Sequence, residues 1–190
     1  MLSNARKIAV FACALMVSSL MQAHAAALNS NSPTVALNAT LAESLTVASS
    51  VSTVNFTLVN GSTVAGSAAV PITTTWVLLP SRTSVKLYGF FASSTAALTD
   101  GYSTPDNIPS VDVLGQVTTG APTTYTAFSQ TASGFGAASA SLLLVNQTIS
   151  SGSANFVGNR TDNLALEIVT PATLPAGNYT GTLTLQAQAN

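Results

Sequence analysis

Apolar side chains recur at every second position along most of this chain, the spacing of a strand with one buried face. Val35, Leu37, Ala39 and Leu41 alternate with polar or small residues, and after Glu43 the same parity resumes at Leu45 and Val47. Val54, Phe56 and Leu58 alternate again, and Asn60-Gly61 follows as a turn signal. Val70 to Leu79 is β-branched and aromatic, with Trp76 inside it; Pro71 near its start marks a strand's beginning or an exposed edge. Further strands are expected at Val85–Phe91, Val111–Leu114, Thr123–Phe128, Leu142–Ile149, Leu164–Val169 and Tyr179–Ala189. Residues 92–109, with Asp100-Gly101, Pro105 and Pro109, read as a long loop, and the small, Gly-rich stretch Ala132 to Ser141 as another. No sustained helical period occurs after the first 25 residues. Short strands with turn signals at regular spacing predict an all-β chain. Its expected architecture is one Ig-like β-sandwich with Greek-key connections over residues 34–190, behind a short polar lead at 26–33.

The first 25 residues follow a different pattern. Arg6 and Lys7 precede an uninterrupted apolar run from Ile8 to Val17, and Ala23-His24-Ala25 supplies small residues at a cleavage spacing. This reads as a signal peptide for Sec export, with cleavage after Ala25 and Ala27 as the alternative. The run is shorter than the roughly 20 residues a membrane-spanning helix needs. Nothing after it approaches that length, so no membrane span is expected once the leader is gone. The expected location is the cell surface or the medium, with the periplasm crossed in transit.

Cleavage would change the chemistry of the chain. Cys13, His24 and all three methionines lie within the leader. Losing Arg6 and Lys7 would take two positive charges from a formal net charge of −1. No basic footprint for nucleic acid remains. A hydrophobic fraction of 47% with only 6% charged residues excludes the composition of a disordered chain. Such a surface, built from Ser, Thr, Asn and Gln, offers little electrostatic repulsion between copies.

Catalytic options are few. Without histidine, a Ser-His-Asp relay has no proton shuttle, and without cysteine and histidine neither a thiol nucleophile nor a Cys/His zinc site is available. Ser-Lys chemistry through Lys86, or a carboxylate pair drawn from Asp100, Asp106 and Asp112, is the remote hydrolase alternative. Those aspartates sit in or beside the long loop, where solubilising charge is the simpler reading. Residues 100–107 offer oxygen ligands but lack the spacing and closing glutamate of a calcium loop. No enzyme, cofactor or metal is expected. Asn-x-Ser/Thr occurs at Asn38, Asn55, Asn60, Asn146, Asn159 and Asn178, and matters only in a glycosylating pathway.

The segment from Leu174 to Asn190 (LPAGNYTGTLTLQAQAN) is the most distinctive. A Pro-Ala-Gly-x-Tyr corner feeds a long alternating strand through Gly177, Tyr179, Gly181, Leu183 and Leu185, with Ala187 and Ala189 keeping parity. It resembles the closing strand of spore coat protein U-like and pilin-like secreted domains, including archaic chaperone–usher pilus (fimbrial) subunits. The resemblance implies an incomplete sandwich whose groove takes a strand from a neighbour, with alternate side chains in pockets. Val35, Leu37, Ala39 and Leu41 are then the candidate donor face. Tyr179, Leu183 and Leu185 are candidates for the strand flanking the groove. Its implied partners are further copies or other surface-fibre subunits, and a periplasmic chaperone. The expected function is thus a bacterial cell-surface structural or adhesive protein assembling by β-strand complementation. The alternative is a monomeric secreted binding module for carbohydrate or protein, with Tyr102 and Phe135 on its loops making contact. The alternation over Thr34–Leu41 is equally that of a first strand paired within its own chain.

Overall fold

The structure is a computed structural model, and it describes residues 28–104, 106–130, 135, 141–150 and 155–190. The expected signal peptide and most of the Gly-rich stretch, including Gly134 and Gly136, lie outside the described residues. The chain divides into two units, Met1–Thr40 and Leu41–Asn190. Of the first, residues 28–40 are described; they form no strand and every one is exposed. A strand over Thr34–Leu41 is therefore not formed within this chain, despite its alternation.

Leu41–Asn190 is all-β. Its strands are β1 (Ser44–Ser49), β2 (Thr63–Ala65), β3 (Val70–Val77), β4 (Ser84–Phe91), β5 (Leu98–Thr99), β6 (Asn107–Ile108), β7 (Val113–Val117), β8 (Thr126–Ala127), β9 (Leu142–Thr148), β10 (Val157–Val169) and β11 (Leu183–Ala189). A 3-10 turn, Ser110–Asp112, leads into β7. No described helix is long and apolar enough to cross a membrane.

Two antiparallel sheets face each other across the core. The larger runs β1-β3-β10-β7-β8, with β2 continuing the row of β3 along β10. The smaller runs β11-β4-β9, and β5 and β6 form a separate ribbon. Alternation places Ile72, Leu164, Ile168 and Val117 of the first sheet against Leu87, Phe91, Leu144 and Val145 of the second. A second apolar cluster closes one end, where Trp76, Leu78, Val85 and Ile149 pack with Leu45, Phe156 and Ala189. There the Trp76 indole donates to the Asn155 carbonyl at 2.9 Å. Gly158 lies beneath the ring, where a Cβ would meet Trp76 Cζ2 at 2.9 Å.

Several strands differ from the alternation in instructive ways. Pairing of β4 with β9 slips between Leu87 and Tyr88, so that Leu143, not Leu144, lies opposite Tyr88. This bulge lets the consecutive Leu144 and Val145 both enter the core, which a regular strand forbids. Strand β7 begins at Val113, because the 3-10 turn takes Val111 and leaves it in solvent. The expected loop 92–109 holds the β5–β6 ribbon. Residues 51–60 form no strand, although Val54, Phe56 and Leu58 still alternate toward the core.

Candidate functional site

The sandwich is open along one seam. Strand β1 ends one sheet and β11 ends the other, and among the described residues each pairs on one side only. Near Glu43 the two run close together. Leu45 and Ala189 share the end cluster there, whereas Ser49 and Leu185 line a groove. The strands are therefore antiparallel across the seam and diverge beyond Ser49.

The groove has a volume of about 1030 Å³. One lip is the strandless continuation of β1, with half-buried Val51, Val54, Phe56 and Leu58. The other is the approach to β11, with Leu174, Tyr179, Leu183 and Leu185. Val70, Phe91, Val113, Leu166 and Ile168 form the floor. These are core side chains of both sheets, so the groove is a cleft into the core itself.

Local chemistry fixes both lips. Two bonds between Asn55 and Ser67 hold the first lip against the chain leading to β3: the Ser67 N–H donates to the Asn55 carbonyl at 2.9 Å, and the Asn55 N–H to the Ser67 side-chain Oγ at 3.0 Å. On the second lip the Tyr179 hydroxyl donates to the Pro175 carbonyl at 2.9 Å, closing the corner expected from the sequence. Burial, then the Asp106 and Asp100 carboxylates, push that phenol above its ordinary value of 10.0. Thr180 and Thr99 exchange both backbone bonds at 2.9 Å. Gly181 permits this approach, since a Cβ there would collide with the Ala97 carbonyl. So the lip is backed by β5 above Gly181 and by β4 below it.

Two bridges bound the slot. At its far end Asn60 Nδ2 donates to the Leu174 carbonyl at 2.9 Å, joining lip to lip. At the near end Arg82 donates to both Glu43 oxygens, through Nη2 at 2.9 Å and Nε at 3.1 Å, and through Nη1 to the Ala189 carbonyl at 3.3 Å. The Leu79 N–H adds a third bond to Glu43 Oε1. These bonds, first the one from Arg82, hold the Glu43 carboxyl at about 2, below its ordinary 4.5. A depressed carboxylate contributes fully above its ordinary pKa and loses that contribution as pH falls through the folded value. The clasp's contribution should therefore be complete above pH 4.5, shrink below it, and be gone once pH has fallen through about 2. Protection of the Leu79 amide, taken relative to its intrinsic exchange rate at each pH, should fall over that window, whereas Glu43→Gln should show no such fall. An unchanged amide in the wild type would refute the clasp.

The residues singled out from sequence are distributed as follows. Tyr179, Leu183 and Leu185 all line the slot. Val35, Leu37, Ala39 and Leu41 are exposed, Leu37 at 90%. Tyr102 projects into solvent at 70% exposure. Phe135 does not project: its ring lies edge-on to Tyr88 at 5.4 Å and tilted against Phe90 at 6.1 Å. Lys86 lies opposite Asn146 and Gln188 on the outward side of β4. Sequence reading missed the first lip and both bridges. Alternation at Val54, Phe56 and Leu58 signalled burial there, but not that the row would lack a strand partner facing β11. No protein-family model, curated protein or solved structure matches this chain.

Proposed function

We propose that this chain is an exported structural or adhesive surface subunit that assembles by β-strand complementation, Thr34–Leu41 of one copy filling the slot of the next. One observation carries the proposal: an apolar cleft floored by the core, with two unpaired strand edges, in a chain whose exposed N-terminal segment alternates apolar residues. Strand β11 has a free edge among the described residues, and a strand can bond such an edge in register where a lipid or sugar cannot. Length agrees as well. Val51 to Leu58 and Thr34 to Leu41 are both eight residues, roughly 26 Å of extended chain at about 3.3 Å per residue.

The chain's own segment fits the slot poorly. A two-residue hairpin over Ala42 and Glu43 would set Leu41 opposite Ser44 and Val35 opposite Ser50. Leu37, Ala39 and Leu41 would then lie beside β1, where β11 already closes the seam. The open stretch Val51–Leu58 would face residues 27–34, which include Asn29, Asn31 and Pro33. Polar side chains would enter an apolar cleft, at a cost of roughly 1–3 kcal/mol for each unpaired group. A second copy is free of that register.

Leu37→Asp tests the donor. Leu37 is exposed in the single chain, so the substitution leaves folding intact while placing a carboxylate in the partner's slot. Unboiled gels of the wild-type chain should show ladders that disappear in Leu37→Asp, and size exclusion should show a monomer. Ladders that persist in the variant would end the proposal. A wild-type chain that stays monomeric at high concentration would favour the secreted binding module instead.

A further inference from the structure

Most of the large apolar side chains that the described part of Leu41–Asn190 leaves in water lie toward one end of the sandwich or the other; Tyr125, beside β8, does not. Val59, Tyr102 and Val111 gather at the Asn60 end of the sandwich. Val59 adjoins the Asn60 bridge, and Val111 leads into β7, whose Val113 pairs with Ile168. Tyr102 follows the Thr99–Thr180 bridge, in a turn where the Tyr102 N–H donates to Asp100 Oδ1 at 3.2 Å. Leu79 and Val157 mark the opposite end: Leu79 bonds Glu43, and Val157 pairs with Val77, the last residue of β3. Isolated exposed apolar residues are ordinary, but segregation to opposite ends calls for a cause.

We infer that these two ends form a head-to-tail contact between successive copies, the Leu79 end of the donating copy resting on the Tyr102 end of the accepting copy. The inference rests on strand donation into the slot and adds the surface that meets beside it. The slot is shut at the Glu43 end, where β1 lies along β11. At the Asn60 end one side-chain bond spans it, from Asn60 Nδ2 to the Leu174 carbonyl, so a donated strand leaves there by passing over that bond. In the donating copy only Ala42 separates Leu41 from the clasped Glu43. Two residues of extended chain span at most about 7 Å. The donor's body is thus held against the acceptor's Asn60 end, and the side chains meeting there are Leu79 with Val59, Tyr102 or Val111. Such a contact joins two different patches, so it propagates as a filament unless its rotation closes a ring.

Cysteine pairs test it in the full-length chain, with Cys13, the only native thiol, replaced by Ala. Leu79→Cys is combined in turn with Val59→Cys, Tyr102→Cys and Val111→Cys. A control pairs Leu79→Cys with Thr161→Cys, an exposed position within β10. After treatment with a short bis-maleimide, samples run unboiled to show strand-linked ladders and boiled to show covalent ones. At least one end-to-end pair should give roughly tenfold or more covalent dimer than the control, reflecting the high effective concentration of tethered ends. Unboiled ladders with no covalent excess in any pair would overturn the contact and leave strand donation standing. Absence of unboiled ladders would overturn both.

Discussion

Phe128→Ala is expected to destabilise the sandwich by about 3–5 kcal/mol, the usual cost of emptying an aromatic site in a core. Phe128 is 1% exposed and lies between the two sheets. Its ring meets Phe91 edge-on, with centroids 5.3 Å apart. Glycines on facing strands make its berth: a Cβ on Gly89 of β4 would approach Phe128 Cε1 to 2.9 Å, and one on Gly115 of β7 would approach Cε2 to 3.0 Å. Neither glycine is needed for its backbone angles; each is needed for the thickness of the ring. Gly115→Ala should therefore destabilise the wild type, yet cost less in the Phe128→Leu background, where the smaller side chain leaves room. Urea unfolding of the four proteins measures the coupling. A Phe128→Ala loss below about 1 kcal/mol, or additive effects in the cycle, would remove Phe128 as the wedge between the sheets.

Asp162→Ala should cost nearly as much, about 3 kcal/mol, because it leaves the half-buried Arg160 guanidinium without its counter-charge. Asp162 is 1% exposed on β10, and Arg160 Nη2 and Nε reach its two oxygens at 2.6 and 2.7 Å. Arg160 Nη1 donates to Gln147 Oε1 on β9 at 2.9 Å, and Nη2 to the Thr119 carbonyl at 3.0 Å. The Thr119 hydroxyl completes the ring to Asp162 Oδ1 at 2.7 Å. The network thus ties the larger sheet to the smaller one and to the turn after β7. Replacing both partners, as Arg160→Met with Asp162→Leu, should recover most of the loss, since the desolvation cost disappears with the charges. Denaturation curves decide between them: a double variant as unstable as Asp162→Ala would mean that the pair contributes more than mutual neutralisation.

These two sites also show where sequence reading stops. Alternation located β3, β4, β9 and β11 to within a few residues, because their inward positions, buried Thr74 of β3 aside, are apolar or glycine. It located only the second half of β10, from Leu164, because Gly158, Arg160 and Asp162 face inward along the first half. A polar inward face has no periodic signature unless its partners are known, and here they come from Gln147 and Thr119, on other elements. Phe128 and its two glycines were invisible for the same reason: the fit is between segments distant in sequence. At the slot, Tyr179, Leu183 and Leu185 were legible from a local corner and strand. The opposing lip was not, since its lack of a strand partner is a property of topology rather than of Val54, Phe56 or Leu58.

Bridges at both ends of the cleft carry a consequence for how any strand would be received. With the lips held at fixed separation by Asn60 at one end and Arg82 at the other, a guest would meet a rigid receptacle and lose mainly its own conformational freedom on docking. Until then, Val54, Phe56, Leu174 and Leu183 on the lips stay only half-buried, so the isolated molecule forgoes part of its hydrophobic stabilisation. If copies complete one another as proposed, the fold would gain solidity by mass action, and its resistance to unfolding would belong to the population of molecules rather than to each one alone.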